Sequence, residues 1–406
     1  MANVSDIAKK LNRKWKEDVL TDGNFTKEVK RLPVGDLGFD YPLYGGLPEG
    51  ALTVFSGVEH SGKTVAACTA MAQYQKKYPE KTCVYVDAEN TLLTQGDFLS
   101  RITGLNLDSD VFLRYDMTGK SAEEMFTDIL ELQEADNIGM IVIDSAPALI
   151  SQADLDNEFI KDNGQRASIA KSLGKFLKQM IMYLPKRNNI LLIINQVRVD
   201  GTNFMGAKIY SEPCGYSLGY YPSMKVRFGT RTYTLGDKTD ISSSKGEGAD
   251  GFRLKFSITK NRLGPTDRGG GFMTYRLATG IDRVHDMLEV AMKYEYIKRP
   301  STQSYILWDL DNDCAYCDEN GEELRFVGKA KVIDYINTHN EFREKYFDML
   351  TRFVSQSSVK VNLLDDETMN EILQQEASVN KELFVGNPIN EEIEETEKVI
   401  LNEEFI

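Results

Sequence analysis

The sequence predicts an α/β protein: a mostly parallel central sheet covered by helices, preceded by a short helix and followed by a small α+β domain. Three observations predict it. Apolar runs without polar alternation recur at 82–87 (Thr-Cys-Val-Tyr-Val-Asp), 138–144 (Ile-Gly-Met-Ile-Val-Ile-Asp) and 189–195 (Asn-Ile-Leu-Leu-Ile-Ile-Asn), the pattern of strands buried on both faces. Helical segments separate them; the clearest, 167–184, places Ile169, Leu173, Phe176, Leu177, Met180 and Ile181 on one face. Strands joined through helices imply right-handed crossovers and a sheet whose ligands bind at the carboxyl ends of its strands.

In chain order, residues 4–18 set Ile7, Leu11 and Trp15 at i, i+4 and i+8 among Lys and Arg, an amphipathic helix with one apolar stripe. The stretch from Pro33 to Gly50 is rich in Gly and Pro and leads into Ala51-Leu-Thr-Val-Phe-Ser56, the first strand of the main domain. After residue 220 the runs alternate, at Met224 to Thr234, Phe252 to Thr259 and Phe272 to Ala278, with a Ser/Gly/Asp-rich loop at 239–251. They read as antiparallel strands added to the sheet. Residues 282–364 form a separate small domain with a hairpin around Asn320-Gly321. The division is therefore 1–31, 32–281, 282–364 and a tail, 365–406, too charged and too poor in apolar residues to fold alone.

Charge is concentrated in that tail. The 406 residues carry a net −14. Residues 365–406 hold 13 acids and two lysines, a net of −11, which leaves −3 for residues 1–364. A nearly neutral body does not exclude a nucleic-acid partner. No run of about 18 apolar residues occurs and the start lacks a signal-peptide core, so a cytosolic protein with no membrane partner is expected. The five cysteines suggest no disulfide framework. Cys314 and Cys317 have no second pair to complete a zinc site, and a hairpin end is the better reading.

The chemistry starts at Gly57-Val58-Glu59-His60-Ser61-Gly62-Lys63-Thr64, which matches G-x-x-x-x-G-K-[ST] between an apolar strand and a helix. Glycines let successive backbone N–H groups turn inward around phosphate oxygens, and the helix N-terminus adds partial positive charge. Lys63 would reach the β and γ phosphates and Thr64 would bind Mg2+. Asp144 ends an apolar strand, where a second Mg2+-organising carboxylate belongs; a strand-end Asp capping a turn is the bland alternative. Glu89 follows strand 82–87 at the same sheet edge and could orient water toward the γ phosphate. On spacing alone, a solvated loop glutamate is favoured. Gln196, just past strand 189–195, could sense the γ phosphate or be a plain strand-end polar residue.

Taken in order, Gly57 to Thr64, Val86-Asp87-Ala88-Glu89, Val142-Ile143-Asp144-Ser145 and Ile194-Asn195-Gln196-Val197-Arg198 resemble the motifs of RecA-type homologous recombinases. Leu47-Pro48-Glu49-Gly50 is similar to that family's approach to its phosphate loop, and Ile258-Thr259-Lys260-Asn261-Arg262 to its Lys-Asn-Lys segment. Gly328-Lys329-Ala330 resembles its small C-terminal domain. The resemblance spans roughly residues 32–355 and marks a divergent member, with phage origin and a host-cytoplasm location left open. It implies a RecA-like P-loop ATPase core and a filament on single-stranded DNA that pairs with homologous duplex and exchanges strands. ATP and Mg2+ would sit at each subunit interface, with single-strand-binding protein and loading mediators as further partners.

By position, the resemblance makes Glu89 the activator of water, Asp144 the metal support, Gln196 the link from ATP to a DNA-binding loop, and Lys260 with Arg262 a pair reaching the neighbour's ATP. Arg262 stands where the family has a second lysine, which keeps charge and changes geometry. Phe98 is the candidate for stacking on adenine. Two loops would meet DNA. The first, 151–165, is acidic, so its basic help would come from Arg166 and the stripe Lys171, Lys175 and Lys178, which also reads as a solvated helix face. The second, 197–219, reads as a loop without secondary structure and brings Arg198, Phe204, Met205, Lys208 and Gly215; apolar side chains there could wedge between bases. The N-terminal helix would dock on the next subunit. A RecA-like hexameric helicase or motor and a non-catalytic DNA-binding mediator are the competing readings.

Overall fold

The computed structural model describes residues 3–16, 19–20, 29–156, 165–202, 208–214, 216–236, 238–241, 248–264, 266–309, 312–340, 343–344, 347–348 and 350. The tail from 365 lies outside the described residues, as does 351–364.

The chain opens with α1 (Val4–Trp15). The pair β1 (Arg31–Leu32) and β2 (Leu47–Pro48) brackets α2 (Leu37–Asp40) and leads to β3 (Leu52–Gly57). There follow α3 (Lys63–Lys77), β4 (Thr82–Asp87), α4 (Thr91–Thr103), β5 (Phe112–Asp116), α5 (Ala122–Leu132), β6 (Ile138–Asp144), α6 (Gln152–Asp156), α7 (Gln165–Arg187) and β7 (Ile190–Gln196). A hairpin of β8 (Arg198–Thr202) and β9 (Lys208–Ser211) precedes α8 (Ser217–Tyr220). Strands resume with β10 (Met224–Phe228), β11 (Thr232–Leu235), β12 (Lys238–Ile241), β13 (Gly251–Asn261), β14 (Gly270–Arg276) and β15 (Gly280–Ile281). Last come α9 (Arg283–Lys293), β16 (Ile297–Lys298), β17 (Ser304–Asp309), β18 (Cys314–Ala315), β19 (Arg325–Val327) and α10 (Lys329–Thr338).

Among the described residues the main sheet has 11 strands, running β12-β11-β13-β10-β3-β7-β6-β4-β5, with β14 on β13 and β15 on β14. From β10 to β5 all pairings are parallel. Both faces of these strands are apolar because both are covered. Phe55, Leu192 and Ile194 join the core under α3 and α4, while Val54, Leu191 and Ile193 join the one under α5 and α7. This is an α/β core of the expected class.

Two local expectations need correction. Met224 to Thr234 is two strands, and the first, β10, is parallel to β3. Alternation reports how the faces are covered and not direction: β10 is parallel to β3 on one side and antiparallel to β13 on the other. Residues 197–219 are not a structureless loop either, because Arg198 pairs with Ser211 and Thr202 with Lys208 across the hairpin. Its strands lie in a polar, Gly-containing stretch whose weak side-chain pattern hides the backbone pairing.

A third apolar cluster joins α9 and α10 to β16, β17 and Leu37 of α2. The chain turns at Asn320-Gly321, with Gly321 at φ +84° and Cys317 bridged to Glu323. Cys314 and Cys317 are both exposed. Buried charge ties this unit to the main sheet. Arg253 on β13 donates to both oxygens of Glu289 at 2.9 Å, and Lys329 donates to Glu289 at 3.2 Å and contacts His285 at 3.0 Å. No helix among the described residues is long and apolar enough to cross a membrane.

Candidate active site

At the carboxyl end of β3 the chain turns through 58–62 into α3. His60 and Gly62 take left-handed backbone, at φ +57° and +85°. The left-handed backbone favours glycine at Gly62, and an added Cβ would sit 2.3 Å from Leu254 Cδ2 on β13 and force that side chain to move. The side chains of Glu59 and His60 point to solvent, about 80% exposed, which leaves backbone groups to line the turn. Lys63 is folded over the loop, its Nζ donating to Gly57 O (3.1 Å), Val58 O (2.7 Å) and Ser61 Oγ (3.2 Å). Burial lowers its pKa, opposed by the nearby Asp144, Glu89 and Glu59. A buried ammonium held only by neutral oxygens is a ready partner for anionic ones.

Facing it is an acidic edge. The Thr64 hydroxyl donates to Asp144 Oδ2 at 2.7 Å, and the Tyr85 hydroxyl donates to the same oxygen at 2.5 Å. Burial raises the Asp144 carboxyl to about 6. A hydroxyl and a carboxylate from two elements suit a hard cation that takes oxygen ligands. The Ser145 hydroxyl donates to Glu89 Oε1, and Gln196 Nε2 donates to the same oxygen at 2.9 Å. The ends of β4, β6 and β7 therefore meet at Glu89. Val197 N donates to Gly57 O at 3.0 Å, tying the base of the β8–β9 hairpin to the phosphate loop. One organiser escaped the sequence reading: Asp87 accepts from Leu92 N, Leu93 N and Arg114 Nε and so fixes the start of α4.

These groups share a cleft of about 540 Å³. Glu59, His60, Ser61, Gly62, Lys63, Thr64, Glu89, Asp144 and Gln196 all line it, and so does Phe98. The sequence reading missed the wall built by Arg231, Tyr233, Phe252 and Leu277. Its only linear signal was aromatic residues in alternating strands, which core packing explains equally well.

Lys260 and Arg262 do not reach this cleft. Lys260 Nζ donates to Gly219 O (2.9 Å) and Tyr220 O (2.7 Å), and the Arg262 guanidinium lies 5.3 Å from the Tyr220 ring. Of the residues expected to meet DNA, Arg198 is exposed at the foot of the hairpin, and Lys171, Lys175 and Lys178 are exposed along α7. Arg166 and Lys208 lie on α7 and β9, their side chains outside the description; Phe204, Met205, Gly215 and 157–164 lie outside the described residues.

A strand, a G-x-x-x-x-G-K-T turn and a helix on a mostly parallel sheet, with a buried acid ending a strand two places away, define a P-loop protein with a RecA-like core. Comparison with known proteins narrows this. The RecA N-terminal domain family matches residues 2–271. Protein RecA of Thermus aquaticus is 28% identical over 321 residues, 78% of this chain and 84% of that protein. Protein RecA of Colwellia psychrerythraea is 27% identical over 320 residues, 78% and 82%, and that of Borrelia duttonii 26% over 351, 85% and 87%. The chain belongs to the RecA family.

Proposed function

We propose that this protein is an ATP-dependent homologous recombinase: it assembles on single-stranded DNA, pairs that strand with homologous duplex and exchanges strands, hydrolysing ATP. One observation supports this most directly. Glu89, which faces the phosphate loop across the cleft, is hydrogen-bonded to Gln196, and the next residue, Val197, opens the β8–β9 hairpin and bonds to Gly57.

Lys63 would hold the β and γ phosphates, exchanging its loop carbonyl contacts for phosphate oxygens. Thr64 and Asp144 would hold Mg2+, which neutralises phosphate charge when bound. Glu89 would orient water in line with the γ phosphate and accept its proton. A γ phosphate would compete with Glu89 for the Gln196 amide, and reorientation of that amide would be passed to the hairpin it leads into. Arg198 and the α7 lysines supply charge for a DNA backbone. Lys260 and Arg262, which do not line the cleft of their own subunit, would serve a neighbouring one.

The test is D-loop formation from single-stranded DNA and a homologous supercoiled duplex with ATP and Mg2+. Wild type should form D-loops. Lys63→Ala should lose nucleotide binding, and Glu89→Gln should bind ATP yet turn it over at least about 100-fold more slowly. Unwinding of forked duplex without D-loops would instead make it a helicase, and DNA binding without ATP turnover a mediator.

A further inference from the structure

The cleft has an end that the phosphate chemistry leaves unused. β11 lies three places from β3 in the sheet, so at about 4.8 Å per strand its line is about 14 Å from the strand that carries the phosphate loop. A nucleotide whose phosphates sit at Gly57 to Thr64 would have room for its base toward β11 and β13, whose residues line the same cleft. Two walls meet there: Phe98 and Leu99 from α4, and Arg231, Tyr233, Phe252 and Leu277 from the sheet side.

Arg231 is the unusual member. Its guanidinium lies 5.5 Å from the ring centres of both Tyr233 and Phe252, and it donates to the Tyr233 hydroxyl at 3.4 Å. Phe252 is itself stacked on Tyr275 at 5.2 Å, and the Tyr275 hydroxyl shares a hydrogen bond of 2.7 Å with Thr69 on α3. The platform under Arg231 is thus anchored to the helix that begins at the phosphate loop. Asp250, between the wall residues Ala249 and Gly251, is engaged by Arg276, Thr234 and the Gly236 amide. Arg231 is held by aromatic faces, the setting in which a guanidinium presents its own flat face to a further planar group.

We propose that Arg231 is a base-contacting residue of this site, its guanidinium stacking on the nucleobase of the bound nucleotide opposite Phe98. The inference rests on the nucleotide reading of the cleft and adds to it the residue that recognises the base end. Stacking on π-faces is tolerant of base identity, so Arg231 sets affinity for a nucleoside over bare polyphosphate.

The experiment compares binding of Mg-ATP and of inorganic tripolyphosphate to the full chain by calorimetry, for wild type, Arg231→Ala, Arg231→Lys and Lys63→Ala. Arg231→Ala should weaken ATP about tenfold and leave tripolyphosphate unchanged. Arg231→Lys should recover only part of the loss, because lysine keeps the charge and lacks the plane. Equal losses for both ligands would mean that Arg231 contacts phosphate, and no loss for either would mean a purely structural side chain; both overturn the proposal. Lys63→Ala should weaken both ligands, and a wild type that binds neither would refute the nucleotide reading itself. Unfolding curves of Arg231→Lys and Arg231→Ala that coincide with wild type confirm that binding alone has changed.

Discussion

Asp40 shows how one residue couples local geometry to pH. Its carboxylate accepts from Val34 N at 2.7 Å and Gly35 N at 2.8 Å, closing the turn before α2. Burial pushes its pKa up to about 7, against those amides and the charge of Arg283. The proton is held more tightly in the folded chain than in the unfolded one, so this contribution to stability is complete below about pH 4 and is lost as pH rises through about 7. At about 1.4 kcal/mol per pKa unit, wild type should lose up to about 4 kcal/mol relative to Asp40→Asn between pH 4 and pH 8. Denaturant unfolding of both proteins across that range checks it; a pH-independent difference would show that burial costs this carboxylate nothing. At Gly62 the requirement is steric and independent of pH. Here the motif was fully legible in sequence, while the crowding of its second glycine by the side chain of Leu254, 192 residues further on, was not.

Elements differ in what holds them. Helix α1 is capped by Asn3, whose side chain accepts from Ser5 N, and carries Arg13 and Lys14 in its last turn, yet none of its residues is buried. Trp15 is 59% exposed and Ile7 46%. A helix of 12 residues is marginal by itself in water, so its apolar stripe suits docking on a second copy. Trp15→Ala should change monomer stability by less than about 0.5 kcal/mol. Filament assembly should weaken by about 30-fold or more, as for a buried aromatic anchor. Sedimentation with DNA and ATP measures this, and unchanged filament length would remove α1 from the interface. The β8–β9 hairpin predicts a different signature. Arg198→Ala should weaken single-stranded DNA binding and reduce the magnitude of its log-salt slope by about one, the mark of one lost phosphate contact.

For the molecule as a whole, the joint between the main sheet and the C-terminal unit rests on buried charge. Arg253 is 5% exposed and faces Glu289, Asp286 and His285, while Thr274 N and its hydroxyl satisfy Asp286. Arg253→Ala would leave buried Asp286 without its guanidinium and Glu289 with Lys329 alone, and should cost about 3 kcal/mol, read as a lower urea midpoint. The same joint changes the view of the acidic tail. Lys329 is engaged with Glu289 and His285, while Lys331 on the same helix is exposed and could be screened by the acidic tail. Truncation after Leu364 should still strengthen duplex binding, and relax its Mg2+ requirement, if the net −11 screens basic surface. Unchanged duplex affinity would leave the tail a solubility device.

The local patterns were sufficient for much of this molecule. Uniform apolar runs identify β4, β6 and β7 because strands buried on both faces have no choice of composition, and the phosphate loop is local because its geometry is made by consecutive backbone groups. Glu89 and Gln196 stood at the right strand ends, yet only the sheet order shows that they share a hydrogen bond. Edge strand β5, half exposed, lacks such a pattern. The parallel return of β10, the Arg231 wall and the Arg253 joint depend on residues tens to hundreds apart, and even the local pairing of β8 with β9 leaves no side-chain pattern. Their partners are chosen by sheet pairing and burial, forces that act on neighbours in space, so the tertiary structure alone decided them.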